Sequence, residues 1–231
     1  MAERQTQGFD HVQTWIFDLD NTLYPAHCDL FSQVSQRMSR FVADLLSVPV
    51  EEARVVQKKY YHEHGTTLAG LMLHHAVDPK PYLDYVHDID YAPVPELPAL
   101  KAAIEALPGT KLIFTNGSRR HAQRVTDRLG ITDLFSGTFD IVDSAYIPKP
   151  RMEGYELFLK AHGVAPDRAA FFEDLPQNLE PPFQLGMTTV LVRTHLDDHP
   201  KLVEAQSWAT LPEHIHHETA DLAAFLTALR P

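Results

Sequence analysis

Short apolar runs recur along the chain, and polar residues follow each of them. The first run ends at Phe17 and leads directly into Asp18 and Asp20. Apolar runs of this length, bounded by polar residues, are typical of buried strands. We therefore predict a first strand that ends at residue 17 and further strands at 111–114, 139–142, 169–172 and 189–192.

Helical segments separate these strands. The pattern predicts helices at about 97–107, 119–129 and 152–162, and Gly130 and Gly163 suit the C-terminal ends of the last two. A final amphipathic helix is indicated by the apolar residues Leu222, Phe225, Leu226 and Leu229. Strands that alternate with helices indicate βαβ units, so we expect an α/β fold with a Rossmann-like parallel sheet flanked by helices.

Residues 26–90 interrupt this alternation. One crossover helix near 97–107 suffices to connect the first two strands, so we expect the inserted segment to form a separate helical cap domain. Its first helix is predicted from apolar residues at steps of three and four, which are Leu30, Val34, Met38, Phe41 and Leu45. Helices are also predicted at 51–64 and 68–75, followed by a turn marked by Pro79 and Pro81. The predicted division is a core of residues 1–25 and 91–231 and a cap of residues 26–90.

Composition narrows the class of protein. The chain has 231 residues, of which 44% are hydrophobic, and a net charge of −11, so we expect a globular protein that does not bind polymeric nucleic acid. Cys28 is its single cysteine, and residues 1–5 lack the basic and apolar segments of a signal peptide. No apolar run approaches the roughly 18 residues of a membrane helix. These features predict a cytoplasmic protein that does not enter the membrane.

The most informative residues are Asp18 and Asp20. Carboxylates at i and i+2 at the end of an extended strand lie on the same side of the chain, whereas Leu19 turns into the core. The carboxyl ends of strands in an open α/β sheet are where ligands bind. Two adjacent negative charges are costly to desolvate unless a cation or a shared proton compensates them, so the pair predicts Mg²⁺ binding or acid–base chemistry.

Other predicted strand ends supply matching chemistry. A hydroxyl follows the second strand at Thr115, Lys149 lies in a polar loop after the third, and Glu173 and Asp174 follow the fourth. One carboxylate can attack phosphorus and another can protonate the departing oxygen, while a hydroxyl and an ammonium group hold phosphate oxygens. A further carboxylate can complete a site for a hard divalent cation. Together these residue types predict phosphoryl transfer.

In the order and context of these motifs, the sequence resembles the haloacid dehalogenase superfamily of aspartyl-phosphate enzymes over nearly its whole length. The resemblance implies that Asp18 is the nucleophile and Asp20 the general acid and base. It implies that Thr115, Asn116 and Lys149 bind phosphate, helped by the start of the next helix. It also implies that Asp18, the backbone carbonyl of Asp20, and Asp174 bind Mg²⁺. The insert resembles the helical cap of the superfamily's C1 type, which selects the substrate.

Residues 18–24, 64–71 and 115–118 are similar to the pyrimidine 5′-nucleotidase group of this superfamily. The expected substrate is therefore a small phosphorylated metabolite, specifically a nucleoside 5′-monophosphate, with Tyr24, His64 and Thr66 as contacts implied by the resemblance. Dehalogenases of the superfamily usually lack the second aspartate, so Asp20 favours phosphate esters. The pair Glu173–Asp174 departs from the Asp–Asp of many relatives, which leaves open whether Glu173 touches the metal directly.

Alternative functions remain at this point. A phosphatase for phosphoglycolate or a sugar phosphate, a phosphomutase, and a non-enzymatic receiver-like domain that accepts phosphate on an aspartate would all group acids, a threonine and a lysine at strand ends. The receiver interpretation does not account for the long insert or for two aspartates at i and i+2. The histidine clusters near residues 62–64, 74–75 and 214–217 lack the spacing of zinc sites.

Overall fold

The computed structural model describes residues 8–194 and 200–229. Its centre is a six-stranded parallel sheet in the order β3-β2-β1-β4-β5-β6. The strands are β1 (Thr14–Phe17), β2 (Thr110–Phe114), β3 (Gly137–Phe139), β4 (Ala169–Glu173), β5 (Thr188–Val192) and β6 (His217–Thr219). The predicted α/β fold with a Rossmann-like sheet is confirmed.

Register places the ends of the central strands side by side. Phe17 of β1 pairs with Ile113 of β2 and with Phe172 of β4. The residues that follow these three strands therefore emerge next to one another at one edge of the sheet. Helices cover both faces of the sheet. The central strands are therefore buried on both sides, and their sequences are continuous apolar runs instead of alternating apolar and polar residues.

The helices around the sheet agree with the helical periodicity of the sequence. They are α5 (Pro98–Glu105), α6 (Arg119–Leu129), α7 (Met152–His162), α8 (Glu180–Gln184), α9 (Pro200–Gln206) and α10 (Leu222–Ala228). The bounds predicted for α6 and α7 are confirmed, and Gly130 and Gly163 follow them with φ of 69° and 63°. Pro181 and Pro182 lie near the start of α8, which has only five residues. No helix in the described ranges is both long and apolar enough to span a lipid bilayer.

The four α-helices between β1 and α5, all within the described residues 8–194, are called the cap helices here. They are α1 (Leu30–Leu46), α2 (Val50–His64), α3 (Thr67–His75) and α4 (Pro79–Val86). Their buried residues, including Val34, Val42, Leu71, Tyr82 and Val86, form an apolar cluster that also contains Ile141 of the core. The exact residues at which the cap begins and ends stay a prediction.

Two predictions for the cap helices are wrong. Pro79 begins α4 instead of marking a turn, because a proline needs no N–H partner at the first helical position and the Asp78 side chain caps the helix through the Lys80 N–H. Leu45 does not lie on the buried face of α1; it is 40% exposed, and Val42 and Ala43 take the buried positions of that turn.

The sheet also differs from the prediction at two places. The third strand ends at Phe139, because the Asp140 carboxylate accepts hydrogen bonds from the Val142 and Asp143 N–H groups and turns the chain. The short edge strand β6 was not predicted from the sequence. Its three residues, His217, Glu218 and Thr219, are polar and half-buried, so the sequence shows no apolar run there.

Candidate active site

Lys149 lies at the centre of the candidate site. Its ammonium group is buried and donates to Asp18 Oδ1 at 2.7 Å, to Glu173 Oε2 at 2.6 Å and to the Phe114 carbonyl at 3.0 Å. All three donors of the lysine are therefore used. The bonds join the ends of β1, β2 and β4, so the predicted grouping of Asp18 and Lys149 is present in the structure.

The loop that carries Lys149 is fixed by Asn116. The Asn116 side chain donates to the Lys149 carbonyl at 3.2 Å and accepts from the Lys149 N–H at 2.8 Å. The oxygen and the nitrogen of the side-chain amide are thus both hydrogen-bonded to the backbone of Lys149. If Asn116 binds phosphate, as the family resemblance implies, its backbone N–H group is the available donor.

A buried acidic cluster surrounds the lysine. Asp18, Glu173 and Asp174 each place one carboxylate oxygen within 4.8 Å of the others. Burial raises the pKa of Asp18 to about 7, with a further contribution from the charge of Glu173, although Lys149 opposes the shift. Burial and the charge of Glu173 also raise the pKa of Asp174. When all three carboxyl groups are ionised, they exceed the one ammonium group in charge, and an all-oxygen donor set of this kind fits a hard divalent cation such as Mg²⁺.

Asp20 belongs to a different network. Its Oδ1 lies 2.7 Å from His121 Nε2 and accepts from the Tyr24 hydroxyl at 2.7 Å. Burial by itself raises the pKa of Asp20, but the charge and hydrogen bond of His121 and the bond from Tyr24 outweigh it and lower the pKa to about 2. The pKa values of Asp18 and Asp20 are therefore shifted in opposite directions, since the two carboxylates have different neighbours.

The Tyr91 hydroxyl lies on the other side of His121. It donates to the His87 carbonyl at 2.9 Å and lies 2.9 Å from His121 Nδ1. His121 therefore contacts Asp20 through Nε2 and Tyr91 through Nδ1, which fixes the position of its ring.

Thr115 is buried beside the two aspartates. Its Oγ1 accepts from the Gly117 N–H at 2.9 Å, and a Cβ at Gly117 would lie 3.2 Å from this oxygen and 3.7 Å from Asp20 Oδ2. Thr115 Oγ1 and Asp20 Oδ2 thus border the same space. Ser118 provides the side-chain cap of α6, so Thr115 is not needed for that role.

The start of α6 is less open than the sequence suggests. The Arg119 N–H donates to the Asp140 carboxylate at 2.7 Å, so one of the helix's free donors is already bound to an anionic group. The Arg119 side chain is solvated and pairs with Asp143. An anion at this end of the sheet would therefore rely on the Thr115–Gly117 loop and Lys149.

The segment between α2 and α3 approaches the core. A Cβ at Gly65 would lie 3.0 Å from the Pro148 side chain, next to Lys149. Tyr61, near the end of α2, is close enough to the acidic cluster that burial, Asp174 and Glu173 together raise its pKa to about 12. Tyr61 therefore lies close to the acids, and Gly65 lies close to the loop that carries Lys149.

The three side chains named as nucleoside contacts lie in different places. Tyr24 is 1% exposed and is bonded to Asp20, which makes it part of the core network instead of a cap surface. His64 Nε2 lies 3.0 Å from His74 Nε2 within the cap helices. Thr66 caps α3 by accepting from the Ala69 N–H and also borders a cavity near Asn116.

Sequence reasoning missed His121 and its partners Tyr91 and His87. An isolated histidine on a helix is usually part of the packing, and no local pattern relates it to an aspartate 101 residues earlier. The available signal was its position three residues after Ser118, which places it in the first turn of the helix that follows the predicted phosphate loop.

Comparison of the chain with known protein families identifies the family to which it belongs. The family model described as haloacid dehalogenase-like hydrolase matches residues 12–181. The chain belongs to the haloacid dehalogenase-like hydrolases. This membership supports a hydrolase and not a receiver domain.

Individual relatives of the hydrolase are distant. Phosphate metabolism protein 8 of Saccharomyces cerevisiae is 28% identical over 197 residues, which cover 78% of this chain and 61% of the yeast protein. L-2-haloacid dehalogenase from Xanthobacter autotrophicus has 16% identity and a TM-score of 0.55, with 94% and 97% of the two chains covered. A haloacid dehalogenase-like family protein from Streptococcus pneumoniae has 14% identity and a TM-score of 0.60, with 95% and 99% covered. These structures establish the fold alone.

The acidic cluster predicts an unusual pH dependence of stability in the absence of divalent cations. An unfolded Asp18 loses its proton near pH 3.8 and the folded one near pH 7, so between these values folding takes up a proton and stability falls as pH rises. With EDTA present, Asp18→Asn should gain stability relative to wild type between pH 4 and 7, by up to about 4 kcal/mol at about 1.4 kcal/mol per pKa unit. Urea unfolding of both proteins across this range measures the difference.

Mg²⁺ provides the control for this prediction. It should stabilise wild type above pH 6 more than it stabilises Asp18→Asn, because the ion compensates the same charges. A stability difference between the two proteins that does not change with pH would contradict the raised pKa of Asp18.

Proposed function

We propose that the protein is a Mg²⁺-dependent phosphatase that hydrolyses phosphate monoesters through an aspartyl-phosphate on Asp18. The observation that carries this proposal is the separation of two carboxylates at one strand end into two environments. Asp18 is held by Lys149 in the acidic cluster, whereas Asp20 is held by His121 and Tyr24. A nucleophile and a proton-transfer group need this kind of separation.

The residues have distinct roles in the proposed reaction. The Asp18 carboxylate attacks phosphorus through its second oxygen, since Oδ1 is bonded to Lys149. As the phosphorus–oxygen bond to the leaving group breaks, the leaving oxygen takes a proton from Asp20. The negative charge of the bound phosphate raises the pKa of Asp20 from its value of about 2 and lets the carboxyl group hold this proton. Asp20 then accepts a proton from the water that attacks phosphorus, which releases inorganic phosphate and restores Asp18.

Charge stabilisation comes from groups around the nucleophile. Lys149 neutralises the phosphoryl oxygens, and the Thr115 hydroxyl and the backbone N–H of Asn116 provide hydrogen-bond donors. Asp18 and Asp174 would hold Mg²⁺ with the Asp20 carbonyl, and the bound ion would supply charge compensation for the phosphoryl group. Glu173 is bonded to Lys149, so we assign it the orientation of the lysine and not direct contact with the ion.

Asp20 also supports a phosphatase over a dehalogenase. A halide leaves without a proton, whereas an alkoxide leaving group needs one. A carboxyl group positioned to pass a proton to the leaving oxygen therefore has a use in ester hydrolysis that halide release does not require. The name of the yeast relative, which refers to phosphate metabolism, points in the same direction.

For the substrate, we propose a nucleoside 5′-monophosphate, with pyrimidine nucleotides favoured by the sequence resemblance. A cavity of about 50 Å³ lies between the cap helices and the core and reaches Asn116. It is lined by the apolar residues Met38, Leu68, Leu83, Val86 and Ile141 and by the polar residues Thr66, Thr67, Tyr82, His87 and Asn116. None of them is a lysine or an arginine.

The electrostatics of this cavity favour an uncharged group. Burial lowers the pKa of His87 to about 3, so this histidine is neutral at pH 7. The Tyr82 hydroxyl is buried and has no hydrogen-bond partner among the described residues, which is costly unless a ligand or a water molecule supplies one. The cavity is too small to hold a whole nucleoside, but a neutral polar atom of a base or sugar suits its lining, whereas the carboxylate of phosphoglycolate would lack a cationic partner there.

A phosphate-release assay tests the phosphatase proposal. Wild type should turn over p-nitrophenyl phosphate with Mg²⁺ and lose turnover in EDTA. Asp18→Asn should reduce the rate by about 10⁴-fold or more, because an amide cannot form the acyl phosphate. Asp84→Asn, which changes an exposed aspartate on α4, is the matched control and should keep the wild-type rate. Residual turnover above about one per cent in Asp18→Asn would refute the assignment of the nucleophile.

A substrate panel tests the specificity proposal. UMP and CMP should exceed phosphoglycolate and sugar phosphates in kcat/KM. Tyr82→Phe should lower kcat/KM for the nucleotides by about 3- to 30-fold, since one hydrogen bond to a neutral group is worth about 0.5–1.5 kcal/mol and a lost buried partner somewhat more, and leave p-nitrophenyl phosphate unchanged. A preference of tenfold or more for phosphoglycolate or a sugar phosphate over every pyrimidine monophosphate would refute it.

A further inference from the structure

The carboxylate of Asp20 is bonded at one oxygen and borders the reaction space with the other. Both His121 Nε2 and the Tyr24 hydroxyl meet Oδ1, each at 2.7 Å. Oδ2 lies near Gly117, on the side of Thr115 Oγ1, where the phosphate is proposed to bind. The Asp20 side chain is 28% exposed, so packing alone does not hold it.

His121 is itself held in place on several sides. It is 1% exposed, its ring stacks on His87 at 4.6 Å with an interplanar angle of 19°, and its Nδ1 is bonded to Tyr91. His87 in turn lies 3.0 Å from the Ser118 hydroxyl, which caps the first turn of α6. The ring orientation is therefore fixed by the core, by α6 and by the segment that follows α4.

The cost of losing this arrangement is large for proton transfer. A general acid must lie within about 2.6–3.2 Å of the oxygen it protonates, and a misplacement of about 1 Å can cost about 10²-fold in rate. An exposed carboxylate bonded at neither oxygen would rotate among several orientations. Two donors on Oδ1 leave Oδ2 as the oxygen that faces the leaving group.

We propose that His121 is a positioning residue that holds Asp20 through Oδ1, so that Oδ2 exchanges the proton with the leaving-group oxygen. This proposal rests on the phosphatase function proposed above. It concerns the orientation of the carboxylate and rests on the positions of its hydrogen-bond partners. Tyr24, which donates to the same oxygen, supplies part of the orientation.

Two variants of His121 separate orientation from packing. His121→Leu removes the bond to Asp20, whereas His121→Gln retains an amide donor at about the reach of Nε2. Single-turnover phosphorylation should be measured with p-nitrophenyl phosphate, whose leaving group needs little protonation, and with UMP, whose leaving group needs it. His121→Leu should lower the phosphorylation rate with UMP by about 30- to 100-fold and the rate with p-nitrophenyl phosphate by less than about threefold. His121→Gln should recover at least about tenfold of the loss with UMP.

A double variant tests whether the rate loss in His121→Leu arises through Asp20. In an Asp20→Asn background, His121→Leu should change the UMP rate by no more than about twofold, because the carboxylate that it positions is gone. His216→Gln, a histidine hydrogen-bonded to Thr189 near the far edge of the sheet, is the control and should leave both rates unchanged.

Other results would overturn the proposal. An equal loss with both substrates, full additivity with Asp20→Asn, or no recovery in a folded His121→Gln would each show that His121 acts by another route. Circular dichroism and thermal unfolding establish that the variants are folded. A wild-type enzyme that releases phosphate from no ester would instead refute the proposed phosphatase function, and this outcome is recognised before any variant is made.

Discussion

The hydrogen bonds of the Lys149 ammonium group hold the candidate site together. They join Asp18 after β1, Glu173 at the end of β4 and the backbone carbonyl at the end of β2. A buried lysine is stable here because the surrounding carboxylates raise its pKa against the effect of burial. The same carboxylates exceed it in number, so the cluster still favours a cation. One ion pair network thus explains both the position of Asp18 and the suitability of the site for Mg²⁺.

Asp18 and Asp20 show how two residues of one type can acquire different chemistry. Asp18 faces other acids and has a raised pKa, whereas Asp20 faces His121 and Tyr24 and has a lowered one. The parallel sheet makes this possible because residues that follow neighbouring strands meet at one edge. The cap helices add a second element, since Tyr61 of α2 brings an aromatic group close to the acids and Gly65 packs against Pro148 beside Lys149.

Much of this arrangement is predictable from sequence, for identifiable reasons. Helices α6 and α7 have clear termination signals in Gly130 and Gly163, and the strands β1, β2, β4 and β5 each contain a short apolar run that is followed by a polar residue. The end of β3 was misplaced because a single side chain, Asp140, turns the chain there. The histidine network was missed because it depends on contacts between residues far apart in the chain, which periodicity cannot show.

Direct detection of the covalent intermediate tests the central claim, that Asp18 takes up the phosphoryl group. Wild-type enzyme should be mixed with Mg²⁺ and p-nitrophenyl phosphate, quenched in acid during turnover and reduced with borohydride, which converts an acyl phosphate to an alcohol. Mass spectrometry of the peptide that contains residues 14–24 should then locate the reduced carboxyl at Asp18, and the same peptide from enzyme without substrate should be unmodified. Modification at Asp20 or Asp174, or rapid turnover without modification of Asp18, would contradict the account.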